Sequence, residues 1–128
     1  MASLRSPLGR ARGLGSAKDG THHWWAQRVT AVALVPLVLW FVVNAIGLAG
    51  ASHAAAVAWI GQPFNAVLLA ALVVAVFHHA QLGLQVVIED YVHAEAIKIA
   101  ALLVVKGVCW LLAVAALLSI VRIFVSAS

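Results

Sequence analysis

Apolar positions fall into three long runs, residues 29–50, 63–88 and 96–125, parted by two short breaks of different character. A helix rising 1.5 Å per residue needs about 20 apolar residues to cross the hydrocarbon core. Each run meets that length, so the pattern predicts an all-α integral membrane protein with three transmembrane helices. They form one membrane domain over 21–128, behind a flexible basic tail over 1–20. Pro36 falls inside the first run, where a membrane helix tolerates it if neighbours satisfy the freed carbonyl. The first break, 51–62, contains no Lys or Arg and ends on Trp59 and Gly61-Gln62-Pro63, which predicts an interfacial turn. The second run opens on Pro63, suited to a first helical turn, and stops at Glu89-Asp90, where two carboxylates are costly in hydrocarbon. Glu95 and Lys98 sit at the near end of the third run and Arg122 at its far end, within snorkelling reach of headgroups.

Composition excludes a soluble domain. The 128 residues are 65% hydrophobic and 9% charged, against about half apolar and a quarter charged in soluble proteins, and so short a chain cannot hide that apolar surface from water. The formal charge of +4 does not indicate a nucleic-acid partner. Five of the eight basic residues (Arg5, Arg10, Arg12, Lys18, Arg28) precede or open the first run, an asymmetry that reports topology and brings the tail against acidic lipid headgroups. The positive-inside rule then puts the N-terminus and the 89–98 break in the cytoplasm, and the 51–62 break and the C-terminus on the outer side. For a bacterial inner membrane that outer side is the periplasm; a mitochondrial inner membrane is the less favoured alternative. The Arg- and Ser-rich tail also has the flavour of a transit peptide, while the lack of a compact apolar segment before residue 29 argues against a secretory signal. Cys109 is alone, which excludes a disulfide framework, and is read as packing.

Within this frame His78 and His79 stand deep in the second run, near the middle of a roughly 30 Å slab. A mid-membrane histidine has a plain use, an interhelical hydrogen bond. At 100° per residue, however, His79, Gly83, Val86 and Asp90 share one face, Asp90 lying about 20° out of line with His79. Gly83, one turn from His79, removes bulk on that stripe and would admit a large flat ligand. A porphyrin held through a neutral imidazole nitrogen fits such a stripe. His78 points about 100° away and is read as a packing residue. His22, His23, His53 and His93 lie near or beyond the membrane surfaces, so a second axial ligand must come from another chain.

Asp90-Tyr91 marks where the second helix leaves the membrane. The pair is either a helix end with an interfacial tyrosine, or a phenol able to donate a hydrogen bond to a quinone carbonyl with a carboxylate beside it. Arg28 lies at the same depth and is suited to Asp90, to a haem propionate, or simply to the positive-inside charge. Lys106 lies roughly 12 Å deeper than Lys98 and receives no role. Gln81, Gln85 and Asn44 read as interhelical glue.

The segment H-A-Q-L-G-L-Q-V-V-I-E-D-Y, residues 79–91, closely resembles the haem and quinone segment of the small hydrophobic membrane anchor subunits of succinate dehydrogenase, respiratory complex II, of the alphaproteobacterial kind. The stretch H-H-W-W-A-Q-R-V-T-A, residues 22–31, resembles the start of that family's first helix, and the likeness extends from residue 20 onward. The resemblance implies one subunit of a four-subunit succinate:ubiquinone oxidoreductase. Its partners would be a flavoprotein, an iron-sulfur protein and a second membrane anchor, with which it shares one haem b. By the same likeness His79 would be an axial ligand of the haem iron, Tyr91 the hydrogen-bond donor to ubiquinone, Asp90 a support of that site and Arg28 a neighbour of the propionates. The chain would carry no flavin, succinate or iron-sulfur site of its own. Two rivals remain: the anchor of a quinol:fumarate reductase, and a structural or transport subunit in which the histidine only joins helices and no haem is bound.

Overall fold

The computed structural model describes Leu4, Ser6 and residues 7–11 and 18–128, so about half of the expected flexible tail over 1–20 falls outside the described residues. Every regular element among them is helical: α1 (Pro7–Ala11), α2 (Lys18–Gly47), α3 (His53–Ile60), α4 (Pro63–Tyr91) and α5 (Glu95–Ala127). The helices α2, α4 and α5 are long and apolar enough to cross a membrane, as the three apolar runs predict. α2 begins well ahead of the apolar run, because nothing in 18–28 breaks a helix and its polar first turns can project into water. It passes through Pro36 without interruption.

α2, α4 and α5 run alternately up and down, with α4 in the middle. α4 packs against α2 on one side and α5 on the other, and among the described residues no close backbone approach joins α2 to α5. The buried residues accordingly lie almost all on α4: Asn65, Ala66, Leu69, Leu72, Ala75, Gln81 and Leu82, facing Cys109 and Ala113 of α5. Several are small, which lets helix backbones approach closely where lipid supplies no hydrophobic drive between helices. Most large apolar side chains of α2 and α5 are exposed, as befits a single chain whose outer faces meet lipid or other helices.

The 51–62 break holds a short helix as well as a turn. Gly50 adopts a left-handed φ of 79°, a conformation that costs glycine little. Ser52 then caps α3, its hydroxyl oxygen accepting from the Ala55 N–H at 3.1 Å. Trp59 of α3 stacks on Trp40 of α2 with ring centroids 5.5 Å apart, and its Nε1–H donates to Asn44 Oδ1 at 3.2 Å. The Asn65 amide donates to the Trp59 carbonyl at 2.9 Å. Gly61 then meets the end of α5, where a Cβ would come 2.5 Å from that of Ala127. This end of the molecule is therefore tied by polar and aromatic contacts. The opposite end, where α2 begins, α4 stops and α5 starts, carries Arg28, Asp90, Tyr91 and Lys98.

Candidate functional site

His78 and His79 are both half-buried on α4 and face different helices, as their 100° offset requires. The His78 ring approaches Trp110 of α5, with centroids 6.1 Å apart, and its Nδ1 is buried without a partner. His79 turns to α2 instead. Its Nδ1 lies 3.0 Å from the Thr30 hydroxyl oxygen.

The surroundings of that hydroxyl settle the direction of the bond. Thr30 Oγ1 is 2.7 Å from the Ala26 carbonyl and 3.1 Å from that of Gln27, both on its own helix. A hydroxyl has one proton and its oxygen accepts as well. Donation to Ala26 leaves the oxygen to accept from a His79 Nδ1–H. The opposite assignment would set two acceptor oxygens 2.7 Å apart with no proton between them. A neutral imidazole protonated at Nδ1 keeps its lone pair at Nε2, the form that binds a metal. His79 Nε2 has no hydrogen-bond partner among the described residues and is not fully buried. These features fit a haem iron approached from outside the chain. His79 would hold it, and a haem would supply reversible one-electron storage at that depth.

Thr30 belongs to a polar stripe of α2 from which Gln27 and Thr30 reach α4. His23, Gln27 and Thr30 stand at i, i+4 and i+7, one helical stripe. His23 Nε2 and Gln27 Oε1 are buried and have no hydrogen-bond partner among the described residues. Gln27 also approaches Gly83, where an added Cβ would lie 3.7 Å from Gln27 Nε2. That is ordinary contact, so the packing of α2 on α4 does not require a glycine here. From the sequence His23 is placed only near the membrane surface and Gln27 and Thr30 receive no role, although the i, i+4, i+7 spacing inside H-H-W-W-A-Q-R-V-T-A was a usable signal.

The other sequence-selected residues cluster at the same end without touching. Tyr91 is 78% exposed at the last turn of α4, and Asp90 beside it is also exposed. Arg28 is exposed and leans over Trp24, its Cζ 5.1 Å from the ring centroid, a cation–π contact of about 0.5–1 kcal/mol at such a site. Among the described residues no ion pair joins it to Asp90; the one ion pair is Lys98–Glu95, at 3.6 Å. Of the residues read as glue, Asn44 accepts from Trp59, while Gln81 donates to Gln85 at 3.3 Å and Gln85 to Glu89 at 2.9 Å. The last two run a polar ladder along α4 to the Tyr91 end instead of bridging helices. Lys106 joins Gln81 and Gln85 in lining a small cavity of about 180 Å³ between α4 and α5.

Residues 2–120 match the family described as succinate dehydrogenase/fumarate reductase transmembrane subunit. The chain is similar to the succinate dehydrogenase hydrophobic membrane anchor subunit of Paracoccus denitrificans, with 37% identity over 121 residues, covering 91% of this chain and 90% of that one. It is similar also to the subunit of the same description from Rickettsia bellii, with 34% identity over 103 residues and coverage of 80% and 82%. With the succinate dehydrogenase membrane anchor subunit of Reclinomonas americana it shares 30% identity over 92 residues, 70% of this chain and 77% of that one.

Proposed function

Because the chain belongs to the succinate dehydrogenase/fumarate reductase transmembrane subunit family, we propose that it anchors a succinate dehydrogenase in the membrane, holds one side of a shared haem b through His79, and helps form the site where ubiquinone is reduced. The observation that carries the reading is the Nδ1 bond to Thr30, which leaves His79 Nε2 without a hydrogen bond among the described residues at mid-helix.

The role of each residue follows from its position. His79 presents a neutral nitrogen lone pair that would hold the haem iron, and the partner anchor would supply a second histidine. The haem, when bound, takes up and releases single electrons beside the quinone site. Tyr91, exposed at the end of α4, donates a phenolic hydrogen bond to a quinone carbonyl. Asp90 keeps a carboxylate next to the phenol, where it orients a basic group or passes a proton. Among the described residues Arg28 makes no salt bridge, and its guanidinium suits a propionate in the forked geometry that carboxylates favour. The flavoprotein and iron-sulfur subunits, which supply the succinate chemistry, dock at the Tyr91 end. The excess of basic residues at that end supports its placement on the cytoplasmic side of an inner membrane. The relatives named above all carry succinate in their descriptions, which favours succinate oxidation over fumarate reduction.

The test is isolation of the complex through a tag on this chain. The reading predicts co-purifying flavoprotein and iron-sulfur subunits, a b-type reduced-minus-oxidised spectrum and succinate-driven ubiquinone reduction. A pure complex with that activity but without a b-type spectrum would refute the haem role and leave the anchor role standing.

A further inference from the structure

Resting on the haem reading above, we infer that Thr30 is the positioning residue of the haem ligand. It locks His79 in the Nδ1–H tautomer, aims the ring, and lowers the reduction potential of the haem that His79 holds.

Three contacts carry the inference. Thr30 Oγ1 is fastened to its own helix through the Ala26 and Gln27 carbonyls at 2.7 and 3.1 Å. A β-branched side chain is stiff about χ1, so the back-bonded hydroxyl is a fixed point. The third contact, 3.0 Å to His79 Nδ1, spans 49 residues of sequence and joins α2 to α4. Of the His79 ring nitrogens, Nδ1 alone is held. A free imidazole at this site could turn over or take the other tautomer, placing a proton on the nitrogen that must face the iron. With Thr30 in place both are opposed.

The bond has an electronic consequence as well. An Nδ1–H that donates to an acceptor makes the opposite nitrogen a stronger electron donor, and hydrogen bonding around an axial ligand is one of the means by which a protein sets a haem potential. A stronger donor favours the ferric state. Inside a membrane domain the bond competes with little water, which raises its worth. Thr30 touches neither haem nor quinone in this account and acts only through His79.

The test is a redox titration of the b-type absorbance in the purified four-subunit complex, with Thr30→Ala, Thr30→Val and Thr30→Ser. Loss of the oxygen in Ala and Val is expected to raise the ferrous-to-ferric ratio at fixed potential by up to about tenfold, about 59 mV for one electron. Thr30→Ser, which keeps the hydroxyl, should titrate with the unmodified complex. Potentials unchanged in Ala and Val, or a Ser variant that titrates with Ala, would overturn the inference. If neither apolar variant assembles, Thr30→Cys decides: its sulfur is a weaker acceptor of similar size, so a smaller rise is expected and no rise counts against Thr30. A His79→Leu complex that keeps an unaltered haem spectrum is a separate result, which overturns the ligand assignment itself.

Discussion

Replacing Tyr91 with Phe isolates one atom. The side chain is 78% exposed at the last turn of α4, and its hydroxyl has no hydrogen-bond partner among the described residues, so the substitution breaks nothing within the chain and should leave folding and assembly intact. What is lost is a single donor toward a quinone carbonyl. A neutral hydrogen bond is worth about 0.5–1.5 kcal/mol net, which is roughly a two- to twelvefold effect on rate or apparent affinity. A larger loss is expected only if the bond tightens as charge develops on the quinone oxygen during reduction. The assay compares two acceptors in the same preparation: succinate:ubiquinone reductase activity should fall, while succinate-dependent reduction of a water-soluble dye stays at the unmodified level. Equal loss of both activities would show an assembly defect. No loss in either would remove Tyr91 from the quinone site.

Three further substitutions probe other parts of the account. Trp59→Phe keeps a ring over Trp40 but removes the donor to Asn44 Oδ1; a cost of about 1 kcal/mol should lower the Tm of the detergent-solubilised complex with no change in its haem spectrum. Gly61→Val places a Cβ 2.5 Å from that of Ala127, and the overpacking should cost about 1–3 kcal/mol, read as a lower Tm that truncation of the α5 terminus before Ala127 largely restores. Arg28→Gln removes a cation that lies over the Trp24 ring and makes no ion pair among the described residues, so thermal stability should change by no more than about 1 kcal/mol, while haem retention through purification falls; full haem occupancy would argue against a propionate contact.

Much of the fold was legible because lipid imposes a simple rule: apolar runs of sufficient length must be helices with their backbone bonds satisfied internally. α3 was missed as a helix, although Ser52 three residues before Ala55 was a capping signal. Its alanine-rich run is too short to cross a bilayer, which drew the reading toward a turn. In the candidate site, the stripe from His79 through Gly83 to Asp90 followed from helical periodicity alone. Thr30 did not, since its pairing with a residue 49 positions away depends on how α2 is rotated against α4, and depth in the membrane carries no information about rotation. The same gap explains Arg28: a residue level with Asp90 need not face it. At 100° per residue Arg28 lies about 200° around α2 from Thr30, so it points away from the side that meets α4.

The most direct test of the central claim is the reduced-minus-oxidised optical spectrum of the purified complex with His79→Leu, set beside His78→Leu. The b-type signal should be lost or strongly altered in the first. It should survive in the second, where the ring packs near Trp110 and away from Thr30. An unchanged spectrum in His79→Leu, or a loss confined to His78→Leu, would contradict it.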